Sequence, residues 1–364
     1  MTASEFAEFH DDLRAVAHDV LGRTGLTMAS GWNSLAETGL LGLEVPEALG
    51  GGGATFAEVA IVLQEMGRAA TISAYLGGVV LGVGTLALLT PDDGRDEMLR
   101  SIASGDLVVA TALANGDVDT ASVEAPFQIA QTGTTLRLRG RASFVPDAPD
   151  ADRLLLLALD ADDRPVVVEI APDTVGLEVE SQPVLDATRR FGLVTADDID
   201  LGLAVVRTFE GDAIASARRL LDRAAAAIAI DSLGLSEAML DATVSYAGVR
   251  EQFGRPIGSF QAVKHACADM LVHITVAREL VGSAVRFMDE DDPDASTAAS
   301  MAKSYACATA VDIVGKAMQL HGGIGYTWES GVHVYLKRAA LDRSLFGSPG
   351  AHRRSLARRY SSNG

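Results

Sequence analysis

Two stretches of this chain gather residue types suited to holding a phosphate-bearing ligand. The first is Arg250-Glu-Gln-Phe-Gly-Arg-Pro-Ile-Gly-Ser-Phe-Gln261, and the second, Gln319-Leu-His-Gly-Gly-Ile-Gly-Tyr326, closes a long helical pattern. A guanidinium such as that of Arg250 pairs with phosphate oxygens through two parallel hydrogen bonds. The ring of Phe253 can pack on a base, while Gly322, Gly323 and Gly325 permit positive φ and close approach of backbone N–H groups. Singly, each has a structural explanation. A Gly-Gly pair after a helix is a common cap, and an imidazole such as His321 at a helix end can bond the last carbonyls. His321 has no acidic or cysteine companion at metal-ligand spacing, so no metal site is expected. Tyr326 and Trp328 read as packing residues of the loop.

Together, and at this spacing, the two stretches resemble the paired motifs of the acyl-CoA dehydrogenase family, R-x-Q-F-G-x-P-I-x-x-F-Q and Q-x-x-G-G-x-G-Y. In that family FAD lies across a dimer interface, one subunit holding the flavin while its neighbour contacts the ADP half. The resemblance implies a cofactor surface with Arg250 at the pyrophosphate, Phe253 against the adenosine part, Gln261 on the same surface, and Gln319, Gly322 and Gly323 completing it. Two further phrases extend the likeness. Gly42-Leu-Glu-Val-Pro-Glu-Ala-Leu-Gly-Gly-Gly-Gly53 resembles the family's V-P-E-x-x-G-G-x-G connection, and Glu65-Met-Gly-Arg-Ala69 its E-x-G-R-A phrase. Both are structural in the family.

The flavin end departs from the family. Where members carry T-E-P-x-x-G-S, this chain has Ala112-Leu-Ala-Asn-Gly-Asp117, and N-G-x-K-x-W-I-T-N becomes Arg139-Gly-Arg-Ala-Ser-Phe-Val-Pro-Asp147. Phe144 can still pack against a ring. Pro146 replaces the threonine whose hydroxyl meets the flavin N5 edge, and proline offers neither hydroxyl nor N–H. The family's reaction removes a proton α to a thioester carbonyl, which needs a positioned carboxylate. Its usual phrase, Y-E-G-T, is matched by Leu345-Phe346-Gly347-Ser348, so Phe346 stands where the glutamate would. Some members place the base on the first long C-terminal helix, where this chain has Ala224. Asp222 is two residues away, about 200° around a helix, and is expected to be solvated or ion-paired.

Composition frames the elements that must position these residues. A chain of 364 residues implies two or three packed regions, and 48% hydrophobic content a globular one. The apolar runs Leu154–Leu157 and Val166–Val168 are too short to span a bilayer, and no basic-then-apolar leader opens the chain. Cys267 and Cys307 lie in helical patterns, which points to buried free thiols in a reducing cytoplasm. The net charge of −19 argues against nucleic acid or anionic membrane as partners.

Residues 1–104 read as helices, with Thr2…Glu5 and Thr55…Glu58 as capping boxes and Thr90 as a cap before Pro91. Phe6, Phe9, Leu13 and Val16 recur at helical spacing, as a buried face would. Residues 105–205 alternate and break like a small β domain, with strands at Leu136–Arg139, Leu154–Leu159 and Val166–Ile170. Residues 206–364 return to long helices at about Ala213–Val249, Ser259–Met288 and Asp294–Leu320, then a basic last helix from His352 to Arg359. The class is α+β. The resemblance implies the acyl-CoA dehydrogenase fold, with an N-terminal helical domain, a middle β-barrel-like domain and a C-terminal four-helix bundle.

One half of the cofactor surface is kept while the other, with both base positions, is lost. The sequence resembles the base-less subunits of heteromeric bacterial acyl-CoA dehydrogenases, typically α2β2, which act on bulky CoA thioesters such as steroid side-chain intermediates. That implies a second subunit holding flavin, base and most of the CoA thioester, and a separate electron-transfer acceptor. Two other readings stay open: a self-sufficient homotetramer using Asp222 or another carboxylate, and a scaffold without flavin.

Overall fold

A computed structural model of the chain describes residues 3–22, 31–114, 124–132 and 135–361. In chain order its helices are α1 (Ala3–Gly22), α2 (Trp32–Glu37), α3 (Phe56–Ala69), α4 (Gly84–Ala87) and α5 (Asp93–Ser104). Eight strands follow: β1 (Val109–Ala112), β2 (Phe127–Thr132), β3 (Thr135–Pro146), β4 (Arg153–Leu159), β5 (Pro165–Ile170), β6 (Leu177–Ser181), β7 (Phe191–Asp200) and β8 (Val205–Arg207). Then come α6 (Ala213–Val249), the short strands β9 (Glu251–Gln252) and β10 (Arg255–Pro256), α7 (Gln261–Asp289), α8 (Ala295–His321), α9 (Val332–Asp342) and α10 (Pro349–Ser361). Helices, one central sheet and helices again make an α+β chain in the three-part order that the resemblance implies. No described helix is long and apolar enough to cross a membrane.

The chain forms two compact units. One comprises residues 30–59 and 73–224 and holds the sheet, ordered β6-β7-β3-β2-β4-β5-β8, with β1 added to β4 in parallel. Leu154–Ala158 of β4 are buried without a break, as expected of a strand covered on both faces. At the start of α3, Thr55 and Glu58 form the anticipated capping box. The Thr55 N–H donates to Glu58 Oε2 (2.8 Å) and the Ala57 N–H to Thr55 Oγ1 (3.2 Å). Thr90 does not cap α5. Asp92 does, its carboxylate accepting from the Arg95 N–H (2.8 Å), while the Thr90 N–H donates to Thr208 O (2.9 Å). A carboxylate beside the helix N-terminus is favoured by the dipole as well as by the hydrogen bond.

Leu76–Val83 is a wholly buried π-helical segment. A Cβ on Gly77 would lie 2.7 Å from Pro146 O, and one on Gly78 would lie 2.7 Å from the Trp32 ring. Arg223 fixes the segment's middle. Its Nε donates to Val80 O (2.6 Å), its two terminal nitrogens bind Glu44, and its guanidinium lies 4.2 Å over the Phe56 ring. A side-chain donor competing for a backbone carbonyl is one of the ways an α-helical ladder widens.

The other unit comprises residues 1–29, 60–72 and 225–364. Close backbone packing explains the Glu65–Ala69 phrase: a Cβ on Gly67 would sit 2.3 Å from Asp231 O, and one on Gly234 2.1 Å from Gln64 O. Around this contact Arg68 binds Glu237 (3.1 Å) and Asp241 (2.7 Å), and His18 Nδ1 lies 3.0 Å from Glu65. Deeper in, Arg338 grips Asp231 with two bonds (2.9 and 2.6 Å) and donates a third to Thr71 O (2.8 Å). In α1 the buried positions are Leu13, Ala17 and Leu21, whereas Phe9 and Val16 are exposed. The buried face therefore follows a four-residue spacing rather than the one expected, and Thr2…Glu5 and Phe6 lie outside the described side chains. Cys307 is buried but Cys267 only half-buried, and both are free thiols.

Candidate cofactor site

The anticipated ADP-side residues lie in one unit, on elements braced against each other. Where α6 ends, the Arg250 N–H donates to Tyr246 O (2.9 Å), and the chain turns through the β9–β10 hairpin so that the Ile257 N–H returns to Arg250 O (2.8 Å). The hairpin tip is Phe253-Gly254, both at positive φ (54° and 74°). A phenylalanine held there costs about 1–3 kcal/mol, which tertiary structure must offset. Its ring is 92% exposed and meets Phe260 edge-on at 6.1 Å, while Arg255 lies 4.1 Å over the Phe260 ring. Gln261, the first residue of α7, is also exposed.

The second motif ends α8. His321 is buried, its Nδ1–H donating to Ala317 O (2.8 Å), so it bonds a last-turn carbonyl as expected. It stacks on Tyr246 at 4.6 Å, and the Tyr246 hydroxyl donates to His321 O (3.4 Å). This stack ties the glycine turn to the last turn of α6, four residues before Arg250. Gln319 is exposed, its Oε1 accepting from Lys316 Nζ (3.3 Å). Gly322 has φ 62° and ψ −143°, a conformation open almost only to glycine. A Cβ on Gly322 or Gly323 would meet nothing within 4 Å, whereas one on Gly325 would press on Met318 O at 2.8 Å. Gly325 is therefore needed by the turn itself, and Gly323 is not. Tyr326 is 74% exposed, so it does not pack as expected, and the Trp328 side chain lies outside the described residues.

Among the described residues, the Arg250 guanidinium has no carboxylate partner. An unmatched guanidinium, an exposed ring and an open glycine backbone fit the ADP half of FAD, whose diphosphate accepts from such donors and whose base stacks.

The flavin-end residues lie in the other unit. Asn115–Asp117 fall outside the described residues; Pro146 ends β3 and is buried. Phe144, at φ 55°, donates its N–H to Gln182 Oε1 (2.6 Å) and meets Phe191 edge-on at 6.3 Å. Beside Pro146 stands Asp147, which sequence reasoning passed over. At φ 60° it donates its N–H to Arg190 O (2.9 Å) and accepts the Gly77 N–H (2.9 Å) on its carboxylate. Burial pushes this carboxyl up to about 7. These residues do not fit a flavin N5 edge, for they present neither hydroxyl nor N–H at Pro146.

Neither position that the resemblance assigns to the base, 224 or 346, carries an ionisable group. Ala224 is fully buried beside Ala225–Ala227, and Asp222 is half-buried. Phe346 sits at φ 50° in the turn between α9 and α10. Two buried side chains clamp that turn. Lys303 Nζ donates to Asp342 O (2.9 Å) and Gly347 O (3.0 Å). His352 Nε2–H donates to Phe346 O (2.9 Å), which leaves Nδ1 to accept from Ser300 Oγ (3.2 Å). Burial drives the His352 imidazole down to about 4, so it is neutral near pH 7. Neither residue stood out in the sequence. The available signal was a lone lysine in the small-residue run of α8.

Comparison with known proteins decides the family. The models of the acyl-CoA dehydrogenase N-terminal and C-terminal domains match residues 1–106 and 211–361. The chain is also 33% identical over 321 residues to "Acyl-CoA dehydrogenase IpdE2" of Mycobacterium tuberculosis, covering 87% of this chain and 82% of that protein. This chain belongs to the acyl-CoA dehydrogenase family. Two solved structures share the fold closely. A variant of the "Tcur3481-Tcur3483 steroid ACAD" superposes with a TM-score of 0.86 at 27% identity, covering 98% of this chain and 99% of that one. A chain of the "ChsE4-ChsE5 complex" of M. tuberculosis superposes with a TM-score of 0.85 at 25% identity, covering 97% of each.

Proposed function

We propose that this acyl-CoA dehydrogenase chain is the base-less subunit of a heteromeric enzyme that introduces an α,β double bond into a CoA thioester. The observation that carries the reading is Phe346. It occupies the base position on a turn whose carbonyls are held by Lys303 and His352, so the turn is built but its acid–base group is not. Arg250, Phe253, Gln261, Gln319, Gly322 and Gly323 contact the ADP half of an FAD whose flavin and base belong to the partner. FAD, when bound, supplies the hydride acceptor. This chain's residues hold the diphosphate and the adenosine and lower the cost of ordering them. The steroid and two-component names among its relatives favour a bulky CoA thioester as substrate and a second subunit of the same fold as partner, and the reoxidising acceptor is a separate electron carrier. A cytoplasmic setting suits the free thiols.

The test is composition and turnover together. Co-expressed with its partner, this chain is expected to elute at about four chains with one FAD per two chains, and alone to oxidise acyl-CoA negligibly with a dye acceptor. A homotetramer of this chain with one FAD per chain and robust turnover would overturn the reading and return Asp222 to the role of base. A complex without flavin would leave a scaffold.

A further inference from the structure

Charge is segregated along this chain. Residues 331–361 carry seven Lys and Arg against the single carboxylate of Asp342, whereas the rest of the chain stands at −25 within a total of −19. Many arginines are matched with Asp or Glu, such as Arg68, Arg207 and Arg223 outside this stretch and Arg338 and Arg359 within it, although among the described residues Arg250 is not. Arg343, Arg353 and Arg354 differ. All three are exposed, and among the described residues none makes an ion pair.

Helix stability does not explain the set. Arg343, at the C-cap of α9, is favoured there by the dipole, but Arg353 and Arg354 lie in the second turn of α10, near the end where a cation is unfavourable. Nor do the latter two converge on one anion, because consecutive helical residues point about 100° apart. Such a spread of cations suits a carboxylate-bearing protein face at contact distance. The negative remainder of the chain repels a long polyanion such as nucleic acid, and screening confines the patch's own attraction to about 8–10 Å. The surface is also pre-ordered. Lys303 holds the carbonyl of Asp342, next to Arg343, and His352, next to Arg353, holds that of Phe346. Little ordering cost then remains to be met on docking.

We propose that Arg343, Arg353 and Arg354 form a docking surface for an acidic face of the partner subunit, an inference that rests on the heteromeric reading above. The experiment measures association of the full chain with the partner protein that co-purifies with it, by biolayer interferometry at 50 and 500 mM NaCl. The variant Arg343→Glu/Arg353→Glu/Arg354→Glu is expected to bind at least tenfold more weakly, mostly through a slower association rate. Salt should weaken the wild type far more than this variant, and Arg343→Gln/Arg353→Gln/Arg354→Gln should fall between them. Melting curves check that these exposed substitutions leave the fold intact. Unchanged affinity in the reversed variant would overturn the proposal while leaving the heteromer standing. So would partner affinity that holds while binding of CoA or inorganic phosphate is abolished, which would make the patch a phosphate site. If no partner associates with the wild type at all, the heteromeric reading falls and this surface with it.

Discussion

Gly323→Ala separates a cofactor surface from a helix cap. At this position a Cβ has nothing within 4 Å, and the backbone is not in the left-handed region. The folded chain should therefore accept alanine. Gly→Ala at a compatible site lowers the entropy of the unfolded chain and stabilises by about 0.4–1 kcal/mol. Gly322 is the control, because its φ of 62° and ψ of −143° strain any side chain by about 1–3 kcal/mol whatever the room around it. If FAD's ADP half lies against this turn, the Gly323→Ala methyl separates the backbone donors from the phosphate oxygens. One lost hydrogen bond to a charged group is worth about 1.5–3 kcal/mol, or roughly ten- to a hundredfold in affinity. The assay is thermal melting of the lone chain beside FAD titration of the co-expressed complex. Gly323→Ala should melt at or above the wild type and yet bind FAD at least tenfold more weakly. Gly322→Ala should melt lower. If Gly323→Ala keeps wild-type FAD affinity, the glycine turn is a cap only, and the assignment of Gln319, Gly322 and Gly323 to the cofactor is wrong.

Arg250→Ala should likewise weaken FAD binding by the complex by about 1.5–3 kcal/mol without lowering the melting point, because among the described residues the guanidinium has no ion pair to lose; flavin retention on gel filtration reads it. His352, neutral and buried at about 4 against about 6.5 when unfolded, contributes stability that is complete above pH 6.5 and lost as pH falls toward 4. At about 1.4 kcal/mol per unit the loss is on the order of 3.5 kcal/mol, so urea midpoints should drop over that window in the wild type and much less in His352→Gln. Asp147 has the opposite sign. Raised to about 7 from an unfolded value near 4, it favours folding at low pH and loses that contribution as pH rises from 4 to 7. Asp147→Asn, which keeps an acceptor for the Gly77 N–H, should stabilise the chain at pH 8 and flatten that slope; a wild-type slope in the variant would refute the assignment.

Long helices, and the turns that carry the proposed ADP-side residues, were legible because they follow local rules. The small-residue run set α6 at Ala213–Val249, and the motif spacing found six exposed residues of which five stand at chain turns or helix ends. What escaped depended on partners distant in sequence. Asp231 and Arg338 are 107 residues apart, and nothing local marks either as half of a buried pair. The π-helical segment depends on Arg223, 143 residues beyond the carbonyl it binds. Phe9, Val16 and Tyr326 were misplaced for a related reason: periodicity finds apolar residues but does not say which side of them has a neighbour. Thr90 lost the cap of α5 to Asp92, which the structure shows bound also by Arg207 (2.7 Å) from β8.

The turn after α9 shows how architecture and chemistry part company. A phenylalanine at φ 50° is strained, and strain persists only where the surroundings over-determine it. Here the surroundings are a fully buried lysine and a neutral histidine, which together hold the carbonyls of Asp342, Phe346 and Gly347. A buried Lys303 Nζ needs such acceptors, and the carbonyls of Asp342 and Gly347 supply them. The clamp grips backbone and is indifferent to the side chain at 346. The clamp therefore accepts an apolar ring at 346, and on the proposed reading the same exchange removes the base. A fold that secures its turns through main-chain carbonyls is free to lose its chemistry in one subunit, provided another subunit keeps it. On the proposed reading, what remains under chemical constraint in this chain is the exposed surface of Arg250 and the open glycine backbone, which have no carboxylate or side-chain partner among the described residues.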